Sequence, residues 1–169
     1  LSTAQINALT TIQVGIINSA QIASLTTTQI TILNSAQIRQ LVPAQLSGLT
    51  TDQIPVFSSA QIAALTSAQV ALFTGEQIAA IETGDLSGLS TTQIATFSAS
   101  QIAGFTSTQI SKLSTIQLGA ISPTEILGLT AQVMNLTTSQ IAGLTTQQIA
   151  NMEGSLIPLF TPAQFAKMS

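Results

Sequence analysis

Glutamine returns every eight residues along this 169-residue chain. It stands at 5, 13, 21, 29, 37, 45, 53, 61, 69 and 77, and again at 93, 101, 109 and 117. Asp85 and Glu125 fill two slots of the row, one residue is then lost, and Gln132, Gln140, Gln148, Leu156 and Gln164 complete it. Of the 21 slots, 18 are Gln and two more are acidic. A unit this short cannot bury a core by itself, because an isolated helix below about 12 residues is marginal in water. Whatever the octad forms, copies must stack on one another to share a core.

With the eight positions lettered a to h and the Gln at e, the pattern around it is equally strict. Position f is apolar throughout, from Ile6 and Val14 to Phe165. Position a is apolar from Leu1 and Leu9 to Met168, and it holds Phe57, Phe73, Phe97, Phe105 and Phe160, five of the six Phe residues. Position b is Ser, Thr or Asn except at Val42, Glu82 and Glu153. The consensus is L-[ST]-x-x-Q-I-x-x.

The spacing discriminates between architectures. A continuous helix turns through about 800° in eight residues, so its apolar stripe would drift by roughly 80° per unit. A plain amphipathic strand needs even apolar spacing, whereas f and a alternate at three and five. A Ser or Thr at b followed three residues later by Gln is, however, the capping box of a helix N-terminus. Gln5, Gln21, Gln29, Gln37, Gln61, Gln93, Gln101, Gln109 and Gln140 are the clearest capping residues on this reading, with Glu125 equivalent and Asp85 approximate. Pro43, Pro123 and Pro162 all fall at c, the first helical position, where a missing N–H costs nothing. Pro55 and Pro158 fall at g and should distort their units. Gly48, Gly88, Gly104, Gly128 and Gly143 fall at h, where Gly loosens or ends a helical turn.

The expectation is an all-α fold: a solenoid or superhelix of about 21 short capped helices, one per octad, with a β-solenoid as the alternative. Each helix should run about seven residues from c and end at a, with f and a three apart on one inward face. Residues 1–169 form a single array. It should be irregular at 81–88 (IETGDLSG), at 129–136 around the lost residue by Thr130, Ala131 and Gln132, and at 152–159 (MEGSLIPL).

Composition narrows the functions. Charged residues make up 5% of the chain, and His, Cys, Trp and Tyr are absent. The acids Asp52, Glu76, Glu82, Asp85, Glu125 and Glu153 sit at b, d or e, where the helix dipole favours them. With no His or Cys, and no base beside a hydroxyl, a nucleophilic mechanism has nothing to run on. The expectation is no catalytic site and no cofactor. Glu82 and Asp85 are the one close acidic pair and a weak candidate for a cation, with solvated capping the preferred role. A net charge of −3 leaves no nucleic-acid footprint. Mean hydropathy is high, at +0.50, yet polar residues interrupt every apolar run short of the ~18 residues that span a bilayer. The chain opens at Leu1 without a Met or basic leader, as expected of a processed product or a piece of a longer protein.

Stretches such as ITILNSAQIRQL (30–41) and FSSAQIAALTSAQVALF (57–73) resemble the Leu-Thr-Thr-x-Gln-Ile/Val repeats of very large bacterial secreted or surface proteins, often found beside haemolysin-type or adhesin-like regions. The resemblance implies an extracellular or cell-surface stalk, fibre or spacer. It brings no catalytic residues, and the acidic nonapeptides of calcium-binding toxin repeats are absent. The implied partners are further copies of the chain or neighbouring repeats. The alternative is a rigid rod whose Thr rows (Thr26, Thr27, Thr50, Thr51, Thr145, Thr146) bind a repetitive ligand, a polysaccharide or ice.

Overall fold

The computed structural model describes residues 1–152 and 154–168. Among the described residues there are α-helices and 3₁₀ segments and no strand, which removes the β-solenoid alternative. The helices are very short. Pro43–Leu46 has four residues, Ala99–Gly104 has six and Thr146–Met152 has seven. They begin at c, as the capping boxes require. Ser98, at φ −76° and ψ 163°, is the N-cap of Ala99–Gly104, and Thr106, at φ −72° and ψ 158°, is that of Ser107–Lys112.

The helices end earlier than the sequence pattern suggests. Outside Thr146–Met152, which runs from c to a as the pattern expects, position a lies past the helix and is extended at Leu65 (φ −61°, ψ 141°) and Phe105 (φ −62°, ψ 135°). The cause lies in the next unit. For the helix to continue, the N–H of b would have to donate to the carbonyl of f, four residues back. That N–H instead donates to the Gln Oε1 of its own capping box, as Thr106 does to Gln109 at 2.8 Å. The f carbonyl keeps only the tighter bond from a, such as Phe105 N–H to the Ile102 oxygen at 3.2 Å. Each capping box therefore terminates the helix before it, and a and b together turn the chain.

Because a is extended, f and a do not share one face, and burial near the two termini shows where each points. Every f residue from Ile6 to Ile141 is buried. Beyond Ile141, burial declines: Ile149 and Ile157 are half-buried, and Phe165 is 59% exposed. Position a behaves in the opposite sense. Leu1 is exposed, Leu9, Ile17 and Leu25 are half-buried, and Leu33 onward is buried through Met152. Side chains at a are covered by residues earlier in the chain, and those at f by residues later. Two apolar positions thus join each unit to neighbours on opposite sides.

Backbones approach closely where h of one unit meets c of an earlier one. A Cβ on Gly88 would run into the Ser59 carbonyl, and one on Gly104 would run into the backbone of Gly75. Gly at h is therefore a requirement of close approach, not of a helix-ending turn. Among the described residues, positive φ occurs only at Gly154. The helix Ala99–Gly104 packs against Gly75–Ala80 on one side and against the 3₁₀ segment Glu125–Gly128 on the other. The core continues along the chain, with the Phe97 and Phe105 rings tilted at 50° and 5.9 Å apart.

Candidate functional site

The row of Gln side chains is the most elaborate polar feature of the molecule. Its local half is the capping box. At Gln101, the Ser98 N–H donates to Oε1 at 3.0 Å and the Gln101 N–H donates to Ser98 Oγ at 3.3 Å. The same reciprocal pair is formed by Ser2 with Gln5, Asn18 with Gln21, Thr26 with Gln29 and Asn34 with Gln37. It recurs for Ser58 with Gln61, Ser90 with Gln93, Thr106 with Gln109 and Thr137 with Gln140. Val42 has no acceptor, so only its N–H bond to Gln45 Oε1 exists there. Pro43 and Pro162 are the first residues of their helices.

The other half of each amide reaches far along the chain. Gln101 Nε2 donates to the Val70 carbonyl at 2.9 Å and to the Phe73 carbonyl at 2.8 Å, residues 31 and 28 positions earlier. Those carbonyls belong to f and a. Gln37 binds Ile6 and Leu9, Gln61 binds Ile30 and Leu33, Gln93 binds Ile62 and Leu65, and Gln109 binds Ile78 and Ile81, with the same separations of 31 and 28. After the lost residue, Gln140 binds Ile110 and Leu113 at separations of 30 and 27. The register is kept by repeat position, not by residue count.

Each interior Gln is thus a bracket with both ends used. Its oxygen closes the cap, and its two N–H donors reach the a carbonyl and the second acceptor site of the f carbonyl, which already takes the N–H of a. Burial without such partners would cost about 1–3 kcal/mol per polar group. With them, Gln37 and Gln69 lie 1% exposed, and Gln148 is fully buried. Gln5 and Gln21, in the first repeats, make the cap but stay exposed, and Gln29 also donates to the Leu1 carbonyl.

The exceptions locate the cost of losing Gln. Asp85, Glu125 and Leu156 replace it, and their units form the 3₁₀ segments Asp85–Gly88, Glu125–Gly128 and Ile157–Leu159 in place of α-helix. A carboxylate cannot donate to a carbonyl. Glu125 instead accepts from the Ala99 N–H, the first of Ala99–Gly104, a helix start that favours negative charge. Two further 3₁₀ segments retain Gln. Ile54–Val56 contains Pro55, and Ala131–Asn135 has lost a residue. In the latter, Gln132 still donates to Ala103 and Phe105, but its Oε1 has no partner, since the Leu129 and Thr130 N–H groups donate to the Ile126 and Gly128 carbonyls instead.

The remaining candidates are dispersed. Glu82 is exposed, and Asp85 meets it through a backbone bond, its N–H donating to the Glu82 carbonyl at 3.0 Å. Among the described residues no three His, Cys, Asp or Glu side chains come together as a metal site, and no helix is long and apolar enough to cross a membrane. Glu153 lies outside the described residues.

The long-range role of Gln had a signal in the sequence. A capping box accepts Glu as readily as Gln, yet 18 of 21 slots hold Gln. Only the amide both accepts and donates, so the near-exclusion of Glu marks a second bond.

The family described as the ALTTAQ repeat matches residues 1–27 and 78–115. Over these segments the chain is similar to that repeat. No curated protein matches the chain.

Proposed function

We propose that this chain is a non-catalytic structural element: a solenoid segment that serves as stalk or fibre-forming part of a bacterial secreted or surface protein. The observation that carries the reading is the recurring Gln bracket. Bonds to carbonyls 28 and 31 residues earlier, repeated from Gln37 to Gln117, place each unit against units between three and four octads before it. Successive windings of that kind extend along an axis without a built-in stop, and their stability is coupled neighbour to neighbour.

The similarity to the ALTTAQ repeat over 1–27 and 78–115 supports a structural repeat module. Sparse charge supports association with other copies or with adjacent repeats, since little electrostatic repulsion opposes close packing. The polar effort of the sequence goes into holding its own backbone.

Small-angle scattering of the dilute chain, joined to surface labelling of intact cells that produce it, tests the reading. A rod-like form factor and antibody labelling without permeabilisation are expected. A compact particle, or labelling only after permeabilisation, contradicts it.

A further inference from the structure

Glu125 stands in the Gln row with the shape of Gln and without its donor. The carbonyls 31 and 28 positions before it, the separations that Gln101 uses, are those of Ile94 and Phe97. Among the described residues the Ile94 carbonyl takes only the Phe97 N–H, at 3.1 Å, and the Phe97 carbonyl takes no donor. The Glu125 carboxylate accepts instead from the Ala99 N–H, two residues beyond Phe97, and from the Thr124 hydroxyl at 3.3 Å. Its own capping box is open: the Ser122 and Thr124 hydroxyls pair with each other at 2.9 Å, and no side chain caps the segment. The contrast with Pro43–Leu46 points to the missing donor. That unit also has Pro at c, and its b residue Val42 is a poorer cap than Ser122. Yet with Gln45 in the slot it closes on the Val42 N–H, donates to Val14 and Ile17, and is an α-helix. With Glu125 in the slot the unit is the 3₁₀ segment Glu125–Gly128.

We propose that Glu125 is an acid-closed joint: protonation makes it a copy of the interior Gln and carries its side chain from the Ala99 N–H to the Phe97 carbonyl. Ionised, a carboxylate accepts and cannot donate. One proton from solvent gives a carboxylic acid whose carbonyl oxygen closes the cap on the Ser122 N–H and whose O–H donates to Phe97. The Ala99 N–H that it leaves is at the first helical position, which no helix pairs internally. The bracket bonds are therefore present in acid and lost as pH rises through the carboxylate range, and the unit takes the α form of Pro43–Leu46 only in acid. The elements packed against Glu125–Gly128 are the helices Ala99–Gly104 and Thr146–Met152, and neither carries a charged or titratable side chain. Lys112, the one cation between residues 89 and 124, is exposed at the end of Ser107–Lys112, which packs on Ala131–Asn135. Glu153 follows Thr146–Met152 in the sequence. Asp52, Glu76 and Glu82 are exposed.

Two-dimensional amide spectra of the 169-residue chain, titrated from about pH 7 to about pH 3 to span carboxylate protonation, test the joint. In the parent chain the amides of 97–99, 122 and 124–129 are expected to move in acid to the positions that Glu125→Gln already shows at neutral pH. In Glu125→Gln the same amides should stay in place throughout. At neutral pH the Ser122 amide should exchange with solvent about tenfold more slowly in Glu125→Gln than in the parent, as one added hydrogen bond implies. Glu125→Ala separates the gain of a donor from the loss of a charge. Parent spectra in acid that match Glu125→Ala and not Glu125→Gln overturn the proposal, as does a Ser122 amide that exchanges equally fast in the parent and in Glu125→Gln. Glu153→Gln should leave the parent titration intact, and its disappearance in that variant also overturns the assignment to Glu125.

Discussion

Residues 1–32 and residues 33–120 are built from the same octad and, apart from the Val42 and Asp85 units, close the same capping boxes, yet their Gln side chains live in different surroundings. Gln13 is exposed, with its oxygen on the Thr10 N–H and its amide nitrogen free of any carbonyl among the described residues. Gln77 makes the equivalent bond to Thr74, is 4% exposed, and also donates to Leu46 and Leu49. The contrast separates two functions of one side chain. The cap is local and forms wherever Ser, Thr or Asn at b is followed three residues later by Gln, as at Ser2 with Gln5 and Ser98 with Gln101. The long-range donation needs the repeats 28 to 31 residues earlier to pack beneath it, and burial of a and e follows from the same condition. Helix formation and stacking are thus encoded by a single residue acting through its two ends.

Substitutions that treat the two regions differently test that separation, and the largest effect belongs to the interior. Gln101→Leu strands the Ser98 N–H and the Phe73 carbonyl in a buried setting and leaves the Val70 carbonyl with only its bond from the Phe73 N–H. It should lower stability by about 3–5 kcal/mol, counting roughly 1–3 kcal/mol for each orphaned group and some relaxation. Gln13→Leu loses only a solvent-exposed cap bond and should cost no more than about 1 kcal/mol. Urea denaturation of both variants checks the pair.

Gly88→Ala comes next. Its Cβ would meet the Ser59 backbone, and overpacking of this kind costs about 1–3 kcal/mol. Gly15 stands at g in the first repeats, where an added Cβ meets only ordinary contacts with Gln40 at 3.7 Å. Gly15→Ala should be neutral or slightly stabilising, because Ala favours helix. Thermal melts of the two variants give the comparison directly.

The smallest effects concern the caps themselves. Thr106→Ala removes the acceptor for the Gln109 N–H and should cost about 1 kcal/mol. Inserting a Ser after Thr130 should act in the opposite direction. It rebuilds the lost box, gives the orphaned Gln132 Oε1 its N–H, and should raise stability by about 1 kcal/mol. Calorimetry of the insertion variant checks the gain, and an unchanged or lower transition would contradict it.

Much of this was legible in the sequence because it is local chemistry. The b-to-e spacing is a capping box, Pro43 and Pro162 mark helix starts, and Pro55 sits in the 3₁₀ segment Ile54–Val56. What the pattern hid is tertiary. Position a reads as helical because it lies three residues after f, and only the capture of the b N–H by the following Gln shows why the helix stops first. The segment Glu125–Gly128 reads as an ordinary unit because Glu satisfies a cap as well as Gln does, whereas its inability to donate shows only against carbonyls far back in the chain. Gly at h likewise reads as helix termination, while the structure uses it to bring backbones together.

The claim that Gln is a two-ended bracket is tested most directly by one substitution made twice, Gln13→Glu and Gln101→Glu, with unfolding free energies compared. Both variants keep the capping acceptor, and only the second removes a donor that is in use. Gln13→Glu should stay within about 0.5 kcal/mol of the parent. Gln101→Glu should fall by 3 kcal/mol or more, since a buried carboxylate would face two carbonyls, a cost of several kcal/mol. Equal effects at the two positions would contradict the account.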